Sequence, residues 1–149
     1  MKICIFGGGA IGGHIAAMLA ATGDHQVSIV ARGEHLLAMQ QQGLTLLRDG
    51  QPPLVQAIPA FGSARELPPQ DLVIVAVKAT ALRDAAADIA SLLSRESVLV
   101  AAINGLPWWY GYRQGGRFEG RRLAAVDPDG YLLRTLPPER VLGCIIYPA

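Results

Sequence analysis

The chain has 149 residues, is 51% hydrophobic and carries a formal net charge of +1, with mean hydropathy +0.30. That length supports one sizeable core, and with neither a basic run nor an acidic tail, nucleic-acid binding and electrostatic membrane binding have no compositional support. No apolar stretch reaches the roughly 18 residues of a membrane-spanning helix, and glycines interrupt "MKICIF" too early for a signal peptide.

Apolar runs and helical patterns alternate along the chain. "KICIF" (2–6) ends at glycines and reads as a buried strand. "IGGHIAAMLAAT" (11–22) reads as a helix that stops at Gly23. "QVSIVA" (26–31) is a second strand and "GEHLLAMQQQG" (33–43) a second helix. "LTLLRDGQPPLVQAI" (44–58) holds two strand-like pieces about Asp49-Gly50, the pattern of a hairpin. "DLVIVAV" (71–77) is apolar on both faces, as in a central parallel strand. A third helix is predicted over 80–94 and a strand over 97–103. Residues 111–122, "GYRQGGRFEGRR", read as a loop. "DPDGYLLRTLP" reads as a short helix with Asp127 as its cap and Pro128 in its first turn, and 140–147 as a last strand. This order predicts an α/β protein with a parallel sheet and right-handed crossovers. Cys4 and Cys144 lie inside strand-like runs and read as reduced, buried thiols of a cytoplasmic protein, with a disulfide between them as the alternative.

Residues 7–12, "GGGAIG", fit G-x-G-x-x-G between a predicted strand and a predicted helix. Gly7 permits the tight turn, Gly9 lets the backbone approach a pyrophosphate, and Gly12 lets helix and strand pack closely. A helix N-terminus there offers free N–H groups and a favourable dipole to the anion. A flexible turn that binds nothing is the alternative. The fold expected is a Rossmann-type parallel sheet with helices on both faces, forming one domain over 1–149.

Ligands on such sheets lie beyond the carboxyl ends of the strands. Arg32 follows the second strand, where an acid would hold the 2′-hydroxyl of NAD; a guanidinium suits the 2′-phosphate of NADP. Glu34 dissents, but it falls in a first helical turn, where acids are common. Lys78 and Asn104 each follow a strand and should face the crevice; singly, each is as well explained by a solvated side chain or a turn. His14, His25 and His35 show no metal-ligand spacing, no metal site is expected, and no catalytic role is assigned to them. The aromatic cluster in "NGLPWWY" (104–110) has no periodicity of its own.

Together the fingerprint, Arg32, "DLVIVAVKA", "INGLPWWY" and "RVLGCIIYPA" resemble the ketopantoate reductase (2-dehydropantoate 2-reductase) family. The resemblance implies NADPH-dependent reduction of 2-ketopantoate to pantoate, on the route to pantothenate and coenzyme A. It implies that Gly7, Gly8, Gly9, Ala10, Ile11 and Gly12 hold the pyrophosphate and that Arg32 holds the 2′-phosphate. It further implies that Lys78 contacts the cofactor, that Asn104 bridges cofactor and keto-acid substrate, and that the backbone near Ala149 borders the cofactor. In the family, the proton-donating lysine and most substrate contacts belong to a second, helical domain, and nothing in this chain matches it. Lys2 and Lys78 are the only lysines. The chain also stops directly after an apolar strand, as a chain cut at a domain boundary would. It is therefore expected to bind NADP(H) without turning over alone, and to self-associate as a homodimer through the uncovered surface. The alternatives are another NADP-dependent 2-keto-acid or hydroxy-acid dehydrogenase, or a stand-alone nucleotide-sensing domain, against which Arg32 argues. Trp108 and Trp109 are expected to wall the cleft or meet the second domain, and so to be exposed; indoles deep in the core would be packing residues only.

Overall fold

A computed structural model describes residues 1–147 of the chain. The elements in chain order are β1 (Lys2–Phe6), α1 (Ala10–Thr22), β2 (Gln26–Val30), α2 (Gly33–Gln42), β3 (Leu44–Leu46), β4 (Leu54–Gln56) and β5 (Ala60–Phe61). They continue with β6 (Gln70–Val75), α3 (Leu82–Ser91), β7 (Leu93–Ala102), α4 (Tyr131–Thr135) and β8 (Val141–Cys144), with short 3-10 turns between some of them. Six strands form one sheet in the order β5-β2-β1-β6-β7-β8, and every pairing in it is parallel. With the β3–β4 hairpin set aside, this is the 3-2-1-4-5-6 order of the doubly wound α/β fold. The chain reverses its direction of travel across the sheet at β1, which opens a crevice at the carboxyl ends of β1 and β6.

The alternation of side chains along β1 builds two cores. Ile3 and Ile5 point to one face and pack with Ala16 and Ala17 of α1 and Met39 of α2. Cys4 and Phe6 point to the other and pack with Leu82, Ala86 and Ile89 of α3 and with Leu132. Both faces of the central strands are covered, which is why their sequences are apolar runs rather than alternating patterns. The hairpin is antiparallel, Leu44 opposite Gln56, with Asp49 and Gly50 in its turn as expected.

Several expectations need correction, among them the last strand, which ends at Cys144 and not at residue 147. The third helix ends at Ser91, not at residue 94, and β7 begins at Leu93, not at residue 97. The pairing of β7 with β6 jumps from Gln70↔Leu93 to Leu72↔Val98, so four residues of β7 loop out of the ladder. Ser97 fills the gap, donating its hydroxyl to the Gln70 carbonyl at 2.6 Å and accepting from the Ser94 N–H at 2.7 Å. The sheet also has an edge strand, β5, that the sequence reading left out; it is two residues long and lies between Pro59 and Gly62. The α4 helix starts at Tyr131, beyond Pro128. Asp127 still caps it from a distance: its buried carboxylate accepts the N–H groups of Leu132 and Leu133, each at 3.0 Å. Both cysteines are free, Cys4 buried and Cys144 half-buried.

Candidate functional site

The glycine-rich loop leaves β1 tied to both neighbouring strands. Gly7 donates its N–H to the Val30 carbonyl at 3.0 Å, and Ala76 donates to the Phe6 carbonyl at 2.9 Å. Gly7 has φ +115°, and a Cβ there would meet the Ala76 carbonyl oxygen at 2.7 Å, so neither conformation nor space admits a side chain. Gly12 faces the Gly7 carbonyl, and a Cβ at Gly12 would overlap its oxygen. Gly8 is also confined, with the Ala31 Cβ 2.8 Å from where its own would stand.

Gly9 differs from all three. A Cβ there would meet nothing within 4 Å, so no protein contact demands a glycine at this position. Gly9 is the N-cap of α1, no side chain caps that helix, and no acid stands in its first turn. Orphan N–H groups beside open space at a helix N-terminus are a seat for an anion.

Two clefts flank this seat and meet at Gly9 and Val77. The outer cleft, about 260 Å³, is lined by Gly7–Gly9, Val30, Ala31, Arg32 and His35 among others. The inner cleft, about 430 Å³, is lined by Gly9, Ala10, Ile11, Lys78, Asn104 and Ile146 among others. Arg32 is exposed at the end of β2, and Lys78 is exposed beyond β6. Among the described residues neither cation takes part in an ion pair. A crevice with an uncapped helix N-terminus at its centre and one unpaired cation on each side fits an extended, multiply phosphorylated ligand. Ala149, expected to border this site, lies outside the described residues.

Asn104 lines the inner cleft, but its amide already has partners. It donates Nδ2–H to the Ile146 carbonyl and accepts the Ile146 N–H on Oδ1, both at 2.9 Å. The side chain thus continues the parallel pairing of β7 with β8 for one more step and holds Ile146 as a wall of the cleft. One N–H and one lone pair remain for a ligand.

Trp108 overturns the expectation of exposure. It is buried among the α3 and α4 contacts, and its indole N–H donates to the Leu136 carbonyl at 3.0 Å. Trp109 is half-buried and stands edge-on to it, with ring centroids 4.3 Å apart. The adjacent indoles therefore differ in burial, Trp108 being core and Trp109 half-buried, and both border the cavity behind Asn104. His35, Val77 and Ile146 also line the clefts, although sequence reasoning did not select them. His35 carries a signal that could have found it, since it stands one helical turn beyond Arg32. Among the described residues no group of three or more His, Cys, Asp or Glu side chains is gathered to hold a metal ion, and no helix is long and apolar enough to cross a membrane.

The sheet order and the glycine loop define a Rossmann-type α/β protein. Residues 3–107 match the family described as Ketopantoate reductase PanE/ApbA. The chain belongs to that family. It is 48% identical over all 149 residues to a 2-dehydropantoate 2-reductase of Mesorhizobium japonicum, and covers 45% of that protein. A solved structure from Ralstonia solanacearum MolK2, named provisionally as a ketopantoate reductase, superposes with TM-score 0.90 at 44% identity, covering 98% of this chain and 44% of that one. A PanE/ApbA family ketopantoate reductase from Ralstonia eutropha JMP134 superposes with TM-score 0.76 at 26% identity, over 100% of this chain and 42% of its own. The chain thus spans less than half the length of these relatives.

Proposed function

We propose that this chain is the cofactor-binding half of an NADPH-dependent 2-dehydropantoate 2-reductase, which reduces 2-ketopantoate to pantoate in the cytoplasm on the route to pantothenate. The observation that carries the reading is the open, uncapped helix N-terminus at Gly9, set between two clefts that each hold an unpaired cation. The pyrophosphate sits at residues 7–12, the adenosine half of the nucleotide in the outer cleft, and the nicotinamide half in the inner cleft. Arg32 grips the 2′-phosphate with two charge-assisted hydrogen bonds, a geometry a lysine cannot reproduce. Lys78 neutralises phosphate charge at the mouth of the inner cleft. Asn104 orients the substrate with its remaining amide N–H while fixing Ile146 as the wall behind the ring.

When bound, the nicotinamide supplies the hydride. The residues of this chain bind and orient; among the described residues none is placed to protonate the new alkoxide, because Lys78 is the only cation lining the inner cleft and is assigned to phosphate. Turnover is therefore expected to need the part of the protein that this chain does not span. Titration calorimetry tests the cofactor choice. NADPH should bind at least about tenfold more tightly than NADH, and Arg32→Ala should remove most of that difference, about 1.4 kcal/mol or more. Equal affinities, or an Arg32→Ala chain that keeps its preference, would refute the assignment.

A further inference from the structure

Loop 111–122 carries an unbalanced positive charge. Arg113, Arg117, Arg121 and Arg122 fall in its second half and centre, with Glu119 as the one acid among them. Glu119 is spent on the backbone: its carboxylate accepts the N–H groups of Arg113 at 3.2 Å and Gly115 at 2.6 Å. Gly120 donates to the Gly111 carbonyl at 2.8 Å, and a Cβ at Gly111 would strike the Arg121 backbone. The loop is thus closed on itself rather than through its arginines. Among the described residues none of the four guanidiniums enters an ion pair.

Two of them, Arg121 and Arg122, line a cavity of about 370 Å³ between this loop and segment 123–126. The rest of its wall is mostly carbon, and no acidic side chain stands in it. Leu106, Tyr110 and Phe118, which are 62%, 39% and 37% exposed, all face this one space. Such a gathering of exposed apolar side chains marks a contact site. The Arg121 guanidinium lies 6.0 Å from the centre of the Phe118 ring. Arg122 Nη1 and Arg134 Nη1 stand 3.2 and 3.0 Å from the point a Gly130 Cβ would occupy, so two like charges are crowded beside the cavity. The cavity shares Leu106, Ala125 and Val126 with the one behind Asn104, but no residue with either nucleotide cleft.

We infer that this cavity is a separate binding site for an amphipathic monoanion, an acyl carboxylate of medium chain length. Its hydrocarbon tail covers Leu106, Tyr110 and Phe118 and removes their carbon surface from water. Its carboxylate lies between Arg121 and Arg122, whose planar forks match a carboxylate with charge-assisted hydrogen bonds. A neutral tail would fill the same space and leave the crowded cations unbalanced. A phosphate dianion would lose more hydration against the carbon walls than a carboxylate does. The volume is that of a small-molecule site. Because no nucleotide-cleft residue takes part, the inference stands apart from the proposed function.

Backbone amide shifts, followed by two-dimensional NMR during separate titrations with decanoate, decanol and butyrate, test the site. Decanoate should move the amides of Phe118 and of residues 122–126 and leave those of residues 7–12 in place. Decanol, which keeps the tail and lacks the charge, should bind roughly tenfold more weakly. Butyrate, which keeps the charge and shortens the tail, should bind at least about tenfold more weakly. The double substitution Arg121→Gln with Arg122→Gln should bring decanoate down to the affinity of decanol. Ala124→Phe, which fills the cavity and keeps both charges, should abolish binding of both. In each variant an unaltered amide spectrum away from residues 104–126 shows that the fold is intact. Decanol binding as tightly as decanoate, decanoate shifts confined to other surfaces, no decanoate binding at all, or unchanged affinity in both variants would overturn the inference.

Discussion

Gly9 and Gly12 occupy the same motif and separate its two demands. Gly12 satisfies packing, since a side chain there would strike the Gly7 carbonyl. Gly9 satisfies no contact within the chain; the space beside it is open. Gly12→Ala should therefore destabilise the fold by about 3 kcal/mol, read by denaturant unfolding. Gly9→Ala should change stability by no more than about 0.5 kcal/mol yet weaken NADPH binding roughly tenfold, about 1.4 kcal/mol. Equal losses of stability in the two variants would show that Gly9 is a packing glycine as well. These positions were legible in the sequence because the steric rule is local, running from a strand through a tight turn into a helix. The clamp made by Asn104 was not, because its partner is a backbone 42 residues away, and nothing in an Asn-Gly pair announces such a partner. Trp108 was misjudged for a similar reason: the Leu136 carbonyl that holds its indole lies 28 residues on.

At the scale of elements, sequence signals located most helices and strands and blurred their ends. The alternation of apolar runs with glycine-stopped helical patterns was enough to place β1, α1, β2, α2 and β6. The junction of α3 and β7 was less clear, because "SLLSRES" continues a plausible helical pattern. The ladder to Gln70 and the Ser94–Ser97 turn claim those residues instead. The two-residue strand β5 is too short for any periodicity to show. The capping of α4 lies between these cases: the residue, Asp127, was evident, but its position four residues ahead of the helix was not. Removing its two buried backbone hydrogen bonds should be costly for so short a helix, which has little stability of its own. Asp127→Ala should lower global stability by about 2 kcal/mol and detach the segment that carries Tyr131 and Leu132. Hydrogen exchange at the amides of Leu132 and Leu133 would show it; protection equal to that of the unaltered chain would contradict the capping role.

The chain is a doubly wound sheet whose crevice, glycine loop and flanking cations occupy one end, an arrangement legible in the strand–helix order together with the glycine motif and the strand-end positions of Arg32 and Lys78. The cavity behind Asn104 was not legible, since it depends on how loop 104–109 folds over α3. Exposed apolar side chains gather near the open β8 edge, including Leu142, Ile145 and Tyr147. At the centre of the sheet, burial pushes the Cys4 thiol up from 9.0 to about 11, against a smaller opposing effect of Ser28. The native state therefore holds this proton after the unfolded chain has lost it. The stabilisation is complete below pH 9 and is lost as pH rises towards 11, a decline of about 2–3 kcal/mol. Cys4→Ala should show a correspondingly flatter dependence of unfolding free energy over that range; parallel curves would mean that Cys4 does not couple to folding.

Every role proposed for the crevice residues depends on where the nucleotide lies. Mapping backbone amide shifts of the chain on addition of NADP+ tests this directly. The largest changes should fall at Gly7, Gly9, Ala10 and Gly12, with further changes at Arg32, Lys78 and Asn104 and little at the β3–β4 hairpin. Changes centred on the hairpin or the open β8 edge, or none at saturating NADP+, would contradict it.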